Sequence, residues 1–330
     1  MPEEGYPVSP KEELLTFEEM SRLIHIAADL GMTKIRLTGG EPLIRKDLPL
    51  LVESIRKHPS INDLSCTTNA HLLSEKAGEL KDAGLSRVNI SLDTLREEKF
   101  VEIARRSSLD RVMAGIEEAK RVGLNPIKIN CVLMKGVNDD EVVDFALWTL
   151  REEVHVRFIE VMPIRWNLDE TDPMDSMSAL SGDRKLFRLR IQEDVGMLSD
   201  VQMRRMVVPF SVAKERIENE LGQLTSVEIP TNGPAHTYRL ENAKGTVGFI
   251  SQISWDLCER CNRLRLTADG QLRPCLMSDG EVDLRTPLRN GASDEEIRKI
   301  FLNVVANKPE RHYLAEGQKV MGRGMSQIGG

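Results

Sequence analysis

Lys34-Ile35-Arg36-Leu37-Thr38-Gly39-Gly40-Glu41-Pro42 is the stretch that decides the fold. Its first five residues read as a short strand, and the two glycines break it. Upstream, Thr16 and Glu19 are spaced as a capping box. They open a helix whose apolar stripe, Met20, Leu23, Ile24, Ala27 and Leu30, ends at Gly31. Downstream the alternation repeats: helices over 48–57, 74–82, 109–122 and 139–151, with strands over 63–67, 87–91, 127–133 and 154–160. Strands returning every 25 to 40 residues or so predict an α/β chain with a parallel sheet and crossover helices. An open and a closed barrel both satisfy this pattern. Either places ligands at the carboxyl ends of the strands.

Those ends carry chemistry: Thr38-Gly39-Gly40-Glu41-Pro42, Thr67-Thr68-Asn69, Ser91-Leu92-Asp93 and Glu160-Val161-Met162-Pro163. Gly39-Gly40 would let a ligand come close to bare backbone. Each end alone is also explained as a turn or a helix cap; four together favour a ligand site. Arg36 and Lys128 lie inside strands, where unpaired burial of charge is costly. They either point inward and meet an anion or sit at a solvent-facing edge.

The 330 residues suggest one large domain and a smaller one. Periodicity divides them into an α/β domain over 1–163, an irregular linker over 164–206 and a second domain over 207–330. A composition 40% hydrophobic and 29% charged excludes a disordered or fibrous chain. The net charge of −7 argues against a nucleic-acid binder. No apolar run approaches the roughly 18 residues of a membrane span, and Met1-Pro2-Glu3-Glu4 does not open a secretory signal. A cytoplasmic protein is expected.

In the second half a helix is expected over 211–221 and another over 294–307. Hairpins turn at Asn242–Gly245 and at Ala268–Gly270. Of five cysteines, Cys66 and Cys131 stand alone in apolar stretches and read as small core residues. Cys258, Cys261 and Cys275 fall within eighteen residues, which points to a metal. Three thiolates with no fourth ligand nearby suit an iron–sulfur cluster with an open position better than a closed zinc site. Arg263 and Arg265 alternate on one face after Cys261 and suit a polyanion; a salt-bridged barrel edge is the alternative. The terminal Gly329-Gly330 is either a frayed end or backbone small enough for a crowded pocket.

The strand Lys34–Pro42, the ends Thr67-Thr68-Asn69 and Ser91-Leu92-Asp93, Arg157-Phe158-Ile159-Glu160 and Cys258-x2-Cys261-x13-Cys275 together resemble the GTP 3′,8-cyclase family. These are radical S-adenosylmethionine (SAM) enzymes that open molybdenum cofactor biosynthesis. The resemblance spans the chain except 164–206. It implies an incomplete triosephosphate-isomerase-type barrel closed by a C-terminal iron–sulfur domain. It implies two [4Fe–4S] clusters, the first cleaving SAM to a radical that starts conversion of GTP to (8S)-3′,8-cyclo-7,8-dihydroguanosine 5′-triphosphate. Gly40, Ser91 and Met162 then correspond to SAM contacts. Arg36, Thr67, Lys128, Arg263, Leu264 and Arg265 correspond to GTP contacts, and Cys258, Cys261 and Cys275 to ligands of the second cluster. The tail Gly329-Gly330 reaches the barrel mouth in this family. Implied partners are an external electron donor and cyclic pyranopterin monophosphate synthase downstream, and the resemblance allows a homodimer.

One departure is large. The family's first cluster hangs on Cys-x3-Cys-x2-Cys followed by Met-Pro, and here the chain begins Met1-Pro2. The first barrel strand and those cysteines are not in these residues, so GTP binding without turnover is expected of them. A radical SAM peptide-modifying maturase and a catalytically dead GTP- or metal-binding remnant are the competing classes.

Overall fold

Strand β1, Lys34–Leu37, follows helix α1, Phe17–Asp29, whose first turn is closed by the expected capping box: Glu19 N–H to Thr16 Oγ1 at 3.2 Å and Thr16 N–H to Glu19 Oε2 at 2.8 Å. The computed structural model describes residues 10–104, 108–162, 205–229, 233–251, 258, 261–312, 323 and 328. The expected linker, 164–206, therefore lies outside the described residues apart from its last two. Helices α2 (Leu48–Arg56) and α3 (Leu73–Asp82) alternate with strands β2 (Asp63–Thr68) and β3 (Arg87–Ser91). Helices α4 (Glu97–Ala104) and α5 (Leu109–Arg121) precede β4 (Ile127–Leu133), and α6 (Val142–Arg151) precedes β5 (Val154–Glu160). Helix α4 was not expected from periodicity. It is short and buries Phe100 alone, so its apolar stripe is nearly empty.

The second segment adds α7 (Phe210–Leu221), β6 (Thr225–Ser226), β7 (His236–Arg239) and β8 (Thr246–Ile250). Among the described residues the main sheet runs β1-β2-β3-β4-β5-β8-β7-β6. Pairing is parallel from β1 through β5 to β8, then antiparallel through the expected hairpin that turns at 242–245. The sheet thus does not end near residue 163. All of β8 is buried, and its apolar positions Val247 and Phe249 extend the row of Val156 and Phe158 on β5.

Register sorts the strands into two faces. Leu64, Cys66, Val88, Ile90, Ile129, Val156, Phe158 and Phe249 align across neighbouring strands and are at most 2% exposed. They pack under the helices, where Phe158 stacks on Phe249 at 5.8 Å and meets Phe145 edge-on at 6.0 Å. The opposite face aligns Arg36 with Ser65 and Arg87, Thr67 with Asn89 and Lys128, and Asn130 with Arg157. Parallel sheets covered on both faces read as continuous apolar runs. This one alternates, so its inner face is built for something other than side-chain packing.

A smaller antiparallel sheet, β9 (Arg265–Leu266), β10 (Gln271–Arg273) and β11 (Val282–Asp283), is followed by helices α8 (Arg285–Arg289) and α9 (Asp294–Ala306). Its apolar cluster takes Leu23, Ile26 and Ala27 from α1 together with Leu272, Leu284, Ile297 and Phe301, while Ala28 belongs to the main core. Ion pairs Arg22–Asp294 (2.7 Å) and Arg289–Glu19 (2.8 Å) fasten α1 to this second unit. No described helix is long and apolar enough to cross a membrane.

Candidate active site

The inner face collects more cations than the carboxylates that face them there. Arg87 is held by Asp63 through two bonds of 3.0 and 2.8 Å. Asn89 Oδ1 accepts from Arg87 Nη1 (3.3 Å) and from Arg157 Nη2 (3.0 Å), a neutral group spanning two guanidiniums. Gly248 faces Arg157, and a Cβ there would lie 3.4 Å from its Cγ. Asn89 Nδ2, Asn130 Oδ1 and Arg157 Nε are buried on this face without a hydrogen-bond partner. Each such atom costs about 1–3 kcal/mol unless a ligand or water satisfies it. Three on one inner face leave room there for water or a polar ligand to be bound.

Charge crowding is visible in the pKa values. Lys128, 1% exposed, falls to about 7 through burial and then the charges of Arg157, Arg87 and Arg36, with Asp63 opposing. Burial, then Arg36 and Arg87, pull Arg157 down to about 9. His155 falls to about 4 through burial and the nearby Lys128, Arg157 and Arg239. Surrounding protein, then Arg87 and Arg263, lower Arg36 to about 10, although the residue is exposed on the edge strand β1, the solvent-facing position that the sequence left open for it. A multiply charged anion placed among these groups would relieve all of them together.

At the mouth the second unit adds its own cations. Antiparallel pairing of Arg265 with Arg273 across the expected turn carries Cys275 back beside Cys261. Cys258, Cys261, Cys275, Arg263 and Arg265 line one pocket. Arg265 falls to about 10 through burial, Arg263 and Arg36, while Cys275 and Cys261 pull the other way, so it stands between the arginines and the thiols. Leu264 turns away from Arg263 and Arg265 and packs on the apolar cluster shared with α1.

Cys261 N–H donates to the Cys258 carbonyl at 3.0 Å, closing a tight turn. The sulfurs already accept hydrogen bonds: Met277 N–H to Cys275 Sγ at 3.3 Å and Lys308 Nζ to Cys261 Sγ at 3.5 Å. Burial raises the Cys261 thiol, but Arg263 and Lys308 outweigh it and the net shift is downward, toward thiolate. Arg273, 1% exposed, braces the loop after Cys275 through Glu281 and the Ser278 carbonyl. Among the described residues no three Cys, His, Asp or Glu side chains converge to grip a single ion. Thiols that share a pocket and receive N–H donors fit a larger iron–sulfur group. Cys66 and Cys131 differ: burial pushes both thiols upward, and both lie in the main apolar core, as expected of core residues.

The strand ends meet at the same mouth. Glu41 accepts from Thr68 Oγ1 (2.7 Å), Asn69 N–H (2.7 Å) and Leu43 N–H (3.0 Å), locking the β1 end to the β2 end. A Cβ on Gly39 or Gly40 would meet nothing within 4 Å, so open space adjoins that backbone. Ser91 is exposed at the end of β3. Met162 packs with Cys275, Leu276, Met277 and Ile328. Ile328 is 3% exposed, and its carbonyl accepts from Arg265 Nη1 at 3.0 Å. Gly329 and Gly330 lie outside the described residues.

Residues 3–149 match the family model described as Radical SAM superfamily, and 187–314 the one described as Molybdenum Cofactor Synthesis C. A GTP 3′,8-cyclase of Thermodesulfovibrio yellowstonii is 45% identical over all of this chain and 92% of its own length. Another, of Heliobacterium modesticaldum, is 47% identical over the same shares.

The chain belongs to the GTP 3′,8-cyclase family.

Coproporphyrinogen III oxidase of Escherichia coli, a radical SAM enzyme, is a solved structure that covers 61% of the chain at 11% identity and a TM-score of 0.38, with 44% of its own chain aligned. Family membership makes the α/β barrel-like architecture that of a radical SAM enzyme. Arg87, Asn89, Asn130, His155 and Arg157 were not singled out as site residues by the sequence reading. Their signal was parity: each shares the inward parity of Arg36 or Lys128 once the strands are aligned.

Proposed function

We propose that this site binds GTP with its triphosphate on the inner-face cations and its guanine toward the three-cysteine pocket, as the substrate of a 3′,8-cyclisation. The observation that carries the reading is the crowd of depressed cations, Arg36, Lys128, Arg157 and Arg265, converging on one lumen and its mouth. The names of the full-length relatives support the same substrate. Thr67 and Arg263 complete the proposed GTP contacts; Leu264 can contribute only backbone, since its side chain faces the apolar cluster. Cys258, Cys261 and Cys275 would hold a [4Fe–4S] cluster whose open iron meets the purine. Gly40, Ser91 and Met162 would contact SAM, which when bound supplies the radical chemistry. Gly329-Gly330 would reach the mouth from the anchored Ile328.

The donor of electrons and the downstream synthase are proposed partners, and the cytoplasm the proposed compartment. The two remaining cysteines, Cys66 and Cys131, are buried in the apolar core and offer no site for a SAM-binding cluster. Anaerobic reconstitution should give about four iron and four sulfide per chain. Calorimetry should then show GTP binding far more tightly than guanosine, since each charge-assisted phosphate contact contributes about 1.5–3 kcal/mol. Stoichiometric zinc without iron, or equal affinity for guanosine, would each overturn its part of the reading.

A further inference from the structure

Lys308 stands just beyond α9, its N–H bonded to the Val305 carbonyl. An ammonium has three donors and no acceptor. All three of its contacts fall on one short segment: the Cys261 carbonyl at 2.9 Å, the Arg263 carbonyl at 2.8 Å and Cys261 Sγ at 3.5 Å. The side chain is half-buried, and no carboxylate pairs with it among the ion pairs of the described residues. An ammonium that forgoes a carboxylate for two carbonyls and a sulfur is placed to serve that sulfur.

We infer that Lys308 is a positioning residue for the three-cysteine centre: it fixes the Cys261–Arg263 turn and donates a charged N–H···S bond that makes the bound cluster easier to reduce. The inference rests on the reading of Cys258, Cys261 and Cys275 as cluster ligands. The physics is general. Adding an electron to a cluster raises its negative charge, most of which its sulfurs carry, and a donor aimed at a ligand sulfur stabilises that reduced form. The two carbonyl contacts keep the ammonium from swinging away to solvent. Arg263, which also hydrogen-bonds Cys261, and Arg265 add charge to the same pocket; Lys308 is set apart because its nitrogen reaches the Cys261 sulfur at 3.5 Å while gripping the backbone on both sides of Asn262.

The experiment is a potentiometric titration of the reconstituted 330-residue chain followed by electron paramagnetic resonance, with dithionite as the one-electron reductant. Iron content is measured on every sample. Lys308→Met should move the midpoint to more negative potential, by on the order of tenfold in the reduction equilibrium, which for one electron is ~59 mV. Lys308→Gln keeps a donor without the charge and should fall between. Lys308→Arg keeps the charge and should stay nearest the parent. A fully loaded Met variant with the parent's potential would overturn the inference. If the Met variant fails to hold iron, the Gln variant decides: a loaded Gln protein with an unshifted potential overturns it, and a shifted one, or loss of iron in Gln but not in Arg, supports it. Loss of iron in all three variants would also overturn it, leaving Lys308 a purely structural brace. A parent chain that takes up no iron would instead sink the cluster reading itself.

Discussion

Phe158 and Arg157 are neighbours on one strand and answer to opposite demands. Phe158 faces the helices, where Phe145 and Phe249 close around it. Arg157 faces the lumen, 4% exposed, with Nε unbonded and its charge opposed by other cations. The outer face supplies the stability that the inner face consumes. A sheet can keep charges this unfavourable because its other side is buried in a large apolar core.

The contrast breaks most sharply by exchanging each partner for a smaller or neutral one. Phe158→Ala should cost about 3–5 kcal/mol in urea unfolding, as expected for an aromatic removed from a closed core. Arg157→Met should leave the ligand-free fold as stable as the parent or more so, because replacing an ill-compensated buried charge by an apolar chain is often neutral or stabilising. The same change should weaken GTP by roughly 10- to 100-fold. Equal destabilisation by both substitutions would mean that the inner face is ordinary core.

A smaller effect sharpens the comparison through pH. Lys128 has a folded value of about 7 against 10.5 for the free side chain. Between those values the unfolded chain binds more protons than the folded one, so stability should rise as pH increases through that window. Melting temperature at pH 7 and pH 9, in the parent and in Lys128→Met, checks this: the contribution should vanish in the variant. Bound GTP should flatten the rise, since an anion restores the lysine's ordinary basicity.

Much of this was legible in the chain. The strands over 34–37, 63–68, 87–91, 127–133 and 154–160 lie within a residue of their expected bounds, because period-two alternation and capped helices mark them locally. Arg36 and Lys128 were conspicuous because charge inside a strand is anomalous. Arg87, at the start of its strand, and Arg157, inside a recognised motif, raised no such alarm. Their role depends on which residues lie opposite, and register is a property of pairs of strands. The parallel partnership of β8 with β5 was hidden for the same reason, with about 85 residues intervening between the two strands. Lys308 could not be read at all: nothing local distinguishes a lysine after a helix from any other solvated one.

Asn89 carries a last consequence. Its amide oxygen holds Arg87 and Arg157 apart from one another at 3.3 and 3.0 Å while lending them no negative charge. Aspartate would fill the same space and make the same contacts. It would also install a permanent counter-ion where the proposed site would take an anion. Asparagine and aspartate codons differ by a single base. The lumen is therefore one nucleotide from carrying its own competitive inhibitor, and the difference between a receptive site and a self-quenched one is whether a nitrogen or an oxygen occupies one corner of residue 89.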